Sequence, residues 1–379
     1  MSESGVPTGR SRRPRGRPLL YTSYAQDMAL LDTRAKRGWT LALVVLAFAL
    51  SAVLVDRSLE VLAGAYVLAI GAIGLNIVTG YAGQVSLGHA FFVAIGAYTG
   101  AALSGPADGR TLGYGLTEIW IWLPAAGLVA ALAGVLVAPL ATRLRGLYLA
   151  IVTLGLVFLG EHVFKEWDHL TGGPGVGRPA AVPVLFGVPL HEDGPLGTRE
   201  QALYLLMLVL LIVFAVAARN LARSRVGRAF MAIRDRDIAA EVMGVPLTRY
   251  KVLAFGISSF YAGCAGALLY SITGFVEPGS FSLLMSVQFI AMVLIGGVAT
   301  VSGAIAGALF ISLLQPLTRA LPSLLPFISA DTTQTPNVFQ VETVLYGLLI
   351  ILFLVFEPRG LFGIWIRVRT YWKSWPFSY

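Results

Sequence analysis

Ten apolar runs, each near the length needed to cross a bilayer, follow one another along this chain with almost no charge inside them. They lie near Trp39–Val55, Leu59–Thr79, Val85–Leu103, Ile119–Thr142, Gly146–Phe164, Ala202–Ala218, Val252–Phe275, Leu283–Ala299, Ser302–Leu321 and Thr343–Phe356. A span takes about 20 apolar residues. In hydrocarbon every backbone amide must be satisfied within its own structure, so such runs fold as helices. Of the 379 residues 56% are hydrophobic and only 13% charged, with a mean hydropathy of +0.76. A soluble domain carries about 25% charge. The expected fold is all-α: a polytopic membrane protein of about ten transmembrane helices with two discontinuous segments.

The net charge of +8 raises the question of nucleic acid as a partner, and the placement of the charges answers against it. With the N-terminus inside, the inside segments are the tail before Trp39, Arg143–Arg145, Arg219–Lys251 and the chain after Phe356, together with two uncharged turns. They hold 22 of the 28 Lys and Arg residues and sum to +15, whereas the outside segments sum to −7. This is the asymmetry of the positive-inside rule. It predicts a multi-pass protein of the cell (inner) membrane with both termini cytoplasmic. Residues 1–38, with Arg10, Arg12, Arg13, Arg15 and Arg17 among Pro, Gly and Ser, read as a disordered basic cytoplasmic tail beside anionic membrane lipid. Residues 39–357 form the transmembrane domain, and 358–379 a cytoplasmic C-terminal tail. The first apolar run comes too late and runs too long for a cleaved signal peptide. The single cysteine, Cys264, lies in an apolar run and excludes an intrachain disulfide.

Carriers driven by protons or sodium usually place ionisable side chains within their helices. Here His89 is the only such group well inside a run, accompanied by the neutral Asn76, Gln84 and Gln288. A lone histidine is more often a hydrogen-bonded packing residue than a relay. A secondary transporter is therefore disfavoured, and energy for uphill movement must arrive from outside the membrane domain. No Gly-Lys dipeptide occurs, so no Walker A loop exists in this chain. The histidines do not cluster with other metal ligands, and no Gly-x-Ser-x-Gly elbow is present. The chain reads as neither an ATPase nor an enzyme; it has no catalytic residues, no metal site and no cofactor of its own.

Two uncharged turns interrupt the apolar runs. The first extends from Thr79 to His89 and contains Gly80, Gly83, Gln84, Ser86 and Gly88; the second extends from Gly296 to Gly303 and contains Gly297 and Ser302. Opened backbone at membrane depth is tolerated only where it is buried in protein or lines a water-filled cavity. Half-helix ends can then attract a carboxylate and unwound carbonyls can accept from an ammonium, which suits a zwitterion. Asn76, Gly80, Gly83, Gln84, Ser86, Gly88, His89, Gly296, Gly297 and Ser302 are accordingly the candidate substrate pathway. The competing explanation is close helix packing, supported by the small-xxx-small patterns Gly96–Gly100 and Gly303–Gly307.

The segment Arg219–Lys251 is longer than a connection between two spans requires. Phe230, Ile233, Ile238, Val242 and Val245 can mark one side of short helices, while Arg234, Asp235, Arg236 and Asp237 stay polar. An amphipathic stretch that ends at Gly-Val-Pro and carries mixed charge suits docking onto a soluble partner better than lying on lipid.

At these residues a resemblance becomes specific. The stretches GLNIVTGYAGQVSLGHAFFVAIGAYTG from Gly74, RLRGLYLAIVTLG, SRVGRAFMAIRDRDIAAEVMGV and IGGVATVSGAIAGALF, with FEPRGLFG near the C-terminus, resemble the membrane permeases of branched-chain amino acid ABC importers, on the LivM-type side of the heterodimer. The match keeps motif order from about Leu59 to Gly363. The resemblance implies a permease partnered by a second, LivH-type permease subunit, two ATPase subunits that bind ATP and Mg, and an extracytoplasmic substrate-binding protein. It also implies that the Arg219–Lys251 loop is the coupling helix. ABC permeases often carry Glu-Ala-Ala with Gly after it; Ala239, Ala240 and Gly244 fit that spacing, whereas Ile238 replaces the glutamate. The coupling role is therefore spread over Arg234, Asp235, Arg236, Asp237, Ala239, Ala240, Glu241 and Gly244. The glycine-rich Thr171–Gly175 stretch resembles the family as well, in an acidic outside loop suited to docking the binding protein. Urea, short-amide and other amino-acid importers share the pattern, and an ATPase-independent channel is the alternative of a different class.

Overall fold

Apolar runs of this length and spacing become helices, and the computed structural model describes residues 34–106, 111–144, 146–190, 193, 197–319 and 337–374. Most of the expected basic tail, Arg145, the end of the ninth run at Leu321 and the last residues of the C-terminal tail lie outside these. Contacts divide the chain into two units, 1–46 and 47–379. The described part of the first is the start of helix α1 (Arg34–Val53), where Trp39, Leu41 and Leu43 are exposed.

The second unit contains α2 (Asp56–Asn76), which runs on into a π turn (Ile77–Tyr81), then α3 (His89–Ser104), α4 (Ile119–Arg143), α5 (Leu147–Glu166) and the single turn α6 (Asp168–Thr171). Strands β1 (Arg178–Pro179), β2 (Val184–Leu185) and β3 (Val188–Pro189) follow, then α7 (Arg199–Arg223), α8 (Arg225–Asp235), α9 (Asp237–Val242) and α10 (Leu247–Thr273). After β4 (Phe275–Val276) come α11 (Leu283–Gly296), α12 (Val301–Arg319), α13 (Val338–Phe356) and α14 (Gly360–Ser374). The strands make two antiparallel pairs, β1 with β4 and β2 with β3.

Among the described residues six helices are long and apolar enough to cross a membrane, and α13 with α14 forms a seventh candidate bent by 42°. Three shorter apolar helices complete the set and bring it onto the ten runs read from the sequence: α1, the 16-residue α3 and the 14-residue α11. At a rise of about 1.5 Å per residue, α3 and α11 reach only about 24 and 21 Å, short of the roughly 30 Å hydrocarbon core. Both adjoin an uncharged break: α3 begins where the first ends, and α11 ends where the second begins. The structure is thus a multi-pass membrane protein with two discontinuous segments.

Helices α2 and α10 are the centre of the assembly, with 78% and 72% of their apolar windows buried. Helix association in lipid relies on close packing because the tails are as apolar as the side chains. Gly96 accordingly lies against the backbone of Gly263, and Gly307 against the carbonyl of Met292, so neither position has room for a Cβ.

Hydrogen bonds sort the connections into two ends. At one end Arg178 joins three segments, donating to Leu170 O and Ala101 O at 2.8 Å and to Leu112 O at 2.9 Å, while Glu118 accepts from the amides of Phe186 and Gly187. Burial pulls the Arg178 guanidinium below its ordinary pKa, and Tyr98 beside it acts in the opposite sense. At the other end lie both breaks, Leu144 and Gly146, the 224–246 loop and the α13–α14 bend. The described inside segments of the second unit, around Leu144, Arg234 and Arg359, converge there.

Candidate functional site

The first break begins where α2 widens. Ala82 N–H bonds to Ile77 O at 3.1 Å and Gln84 N–H to Val78 O at 3.0 Å, after which the chain runs irregularly to Gly88. Side chains from neighbouring helices satisfy the freed amides: Leu87 N–H donates to Thr153 Oγ1 at 2.9 Å, and Ala90 N–H, in the first turn of α3, to Ser286 Oγ at 3.0 Å. His89 is buried; its Nε2–H donates to Gly71 O at 2.9 Å and its ring meets Phe289 edge-on at 4.8 Å. This satisfied imidazole is the packing arrangement weighed in the sequence.

Asn76 fastens the first break to the second. Fully buried, it donates from Nδ2 to Thr300 O at 2.9 Å and accepts from Ala299 N–H at 2.8 Å through Oδ1. Gly80 fits directly beneath this pair, since a Cβ there would collide with Asn76 Oδ1 and stand 2.6 Å from Ala299 N. In the second break Gly297 adopts φ +125°, and a Cβ there would stand 2.9 Å from Arg359 O at the α13–α14 bend.

The loop after α7 meets the same place. Ser224 caps α8 through the amides of Val226 and Gly227. Phe230 and Ile233 pack inward, with Phe230 edge-on to Tyr250. Arg234 donates from Nη1 to Gly80 O at 3.1 Å and pairs with Asp235 at 2.9 Å. Its side chain lies against Gly83, where φ is +67° and a Cβ would stand 2.7 Å from Arg234 Cγ. The chain then turns through an extended Arg236 into α9.

This elbow corrects one expectation. Of Phe230, Ile233, Ile238, Val242 and Val245, expected on one side of short helices, Phe230 and Ile233 are buried, Val245 is half-buried, and Ile238 and Val242 face out beyond the turn at Arg236. Ile238, Val242 and Met243 are 68%, 82% and 83% exposed, forming an outward apolar patch, whereas Ala240 is buried. Gly244, at φ +84°, ends α9.

Of the candidate pathway residues, Asn76, Gly80, Gly83, Gly296 and Gly297 therefore gather around the two breaks. Ser86 and Gly88 lie buried further along the first break, Gln84 borders a cleft beside the loop, and Ser302 is exposed at the start of α12. Of the coupling residues, Arg234 reaches the break itself, Asp235, Arg236 and Asp237 line the cleft, and Ala239 and Glu241 face outward on α9. Sequence reasoning missed Thr153 and Ser286, the side chains that receive the opened amides. Their trace is a hydroxyl residue inside an otherwise apolar run.

Residues 58–354 match the family model described as the branched-chain amino acid transport system / permease component. The chain is 32% identical over 346 residues to the high-affinity branched-chain amino acid transport system permease protein LivM of Salmonella typhimurium, covering 87% of this chain and 76% of that protein. It is 32% identical to the autoinducer 2 import system permease protein LsrC of Enterobacter sp. strain 638, covering 71% and 66%. It is 26% identical to the branched-chain permease protein LivH of Escherichia coli K12, covering 77% and 90%. No solved structure matches.

Proposed function

This chain belongs to the branched-chain amino acid transport system permease family, and from that premise we propose that it carries branched-chain amino acids across the cell membrane as one permease subunit of an ATP-driven importer. Its partners on this reading are a second permease of the LivH kind, two ATPase subunits that hold ATP and Mg, and an extracytoplasmic binding protein. Similarity to both LivM and LivH supports a pair of related permeases. The N-terminus, the C-terminus and the 224–246 loop face the cytoplasm on this reading; the excess of Lys and Arg in those segments of the sequence supports this orientation. The Thr171–Gly175 stretch lies at the opposite end beside an open cleft of about 410 Å3, a place for the binding protein to dock.

One observation carries the reading: the loop that offers an outward apolar patch also holds the first break through Arg234 and Gly80. An ATPase that grips Ile238, Val242 and Met243 pulls on α9, Arg234 transmits the pull to the first break, and Asn76 passes it to the second. The breaks open and close the pathway without any ionisable relay, because the energy enters through the loop. The test is leucine uptake into proteoliposomes containing the chain with the second permease, the ATPases and the binding protein. Uptake that needs ATP and every partner supports the proposal; uptake by this chain alone makes it a facilitator.

A further inference from the structure

Between the first break and the elbow of the loop the protein leaves a cleft of about 260 Å3. Sites for drug-sized ligands start near about 300 Å3, so the space suits a solute of amino-acid size. Gln84 lines the cleft, only 5% exposed, and neither end of its amide has a hydrogen-bond partner. A buried polar atom left so is costly, because it has given up water without a replacement. Asn76, which presents the same chemical group at the same break, has both ends met. Among the described buried side-chain amides Gln84 alone is left so.

The rest of the lining has two characters. Leu144, Leu149 and Ile233 supply an apolar wall, while Arg236, Asp237 and Lys251 bring charges of both signs. Among the described residues the Arg236 guanidinium has no hydrogen-bonding or ionic partner. An amide donates and accepts, so Gln84 can meet the carboxylate and the ammonium of one zwitterion. Arg236 offers a fork for the carboxylate, and the apolar wall receives an aliphatic side chain.

We propose that this cleft is a release-side binding site for an aliphatic α-amino acid, held as a zwitterion by Gln84 and Arg236. The proposal rests on the branched-chain reading of the cargo and adds a second place where product lodges. An occupant lies beside Arg234, whose contact with Gly80 links loop and break.

The test is equilibrium binding of L-leucine to the full chain in lipid nanodiscs without the binding protein. Leucinol, which lacks the carboxylate, and 4-methylvalerate, which lacks the ammonium, serve as probes. Saturable leucine binding is expected, about tenfold weaker in Gln84→Met and in Arg236→Gln and about tenfold weaker for either probe. Arg236→Gln changes an exposed, unpartnered side chain, so it keeps the test valid if Gln84→Met fails to fold. No saturable leucine binding, unchanged binding in both variants, or equal binding of either probe overturns the site. Leucine uptake by the assembled importer is measured alongside. Uptake without cleft binding removes the site and leaves the cargo reading; cleft binding without uptake keeps the site and removes the cargo reading.

Discussion

The guanidinium of Arg234 donates to the backbone carbonyl of Gly80 across 3.1 Å, joining a loop between α7 and α10 to the point where α2 unwinds. The same side chain occupies the space that a Cβ at Gly83 would need. A charged donor on a carbonyl is a link worth about 1.5–3 kcal/mol, and it lies between the outward face of the loop and the first break.

Asn76 is the second link. Asn76→Leu leaves Ala299 N–H and Thr300 O without their partner. With one such bond worth about 1 kcal/mol or more, hydrogen exchange at Ala299 is expected to quicken about tenfold, with uptake reduced. Mass-spectrometric exchange on the purified chain checks this.

Gly80→Ala forces a methyl group into Asn76 and Ala299, and Gly83→Ala strains a positive φ by about 1–2 kcal/mol. Gly64→Ala, in the open middle of α2, meets nothing within 4 Å. Uptake is expected to fall about tenfold or more in Gly80→Ala, less in Gly83→Ala, and not at all in Gly64→Ala.

Arg178 secures the opposite end through three carbonyls. Arg178→Gln is expected to destabilise the chain by about 3–5 kcal/mol, because three carbonyls lose a charged donor. Arg178→Lys should rescue little, because an ammonium lacks the planar fork. Denaturation in detergent and proteolysis between residues 167 and 178 read the effect.

The patch of Ile238, Val242 and Met243 makes few contacts within the chain. Replacing all three with serine is expected to leave its stability unchanged while weakening capture of the ATPases about tenfold, as removal of an apolar anchor does. Pull-down from solubilised membranes measures it.

The helices at the ten apolar runs and both breaks were legible because apolar length and uncharged Gly, Ser and Thr clusters are local signals. The partners of the breaks were not. Asn76 bonds to the backbone at Ala299 and Thr300, and backbone atoms leave no mark in a sequence. Arg234 read as a solvated charge beside Asp235, yet the turn at Arg236 aims it at Gly80. The same turn separated Ile238 and Val242 from Phe230 and Ile233, which a single helical period would have kept together. Small-xxx-small patterns offered packing as the competing explanation, and Gly96 does lie against the backbone of Gly263.

The most direct measurement is the ratio of ATP hydrolysed to leucine delivered by the complete importer in proteoliposomes, with wild-type chain and with Arg234→Ala. A ratio that rises about tenfold while assembly and hydrolysis persist is the predicted result. An unchanged ratio in a fully assembled complex would contradict the link from loop to break.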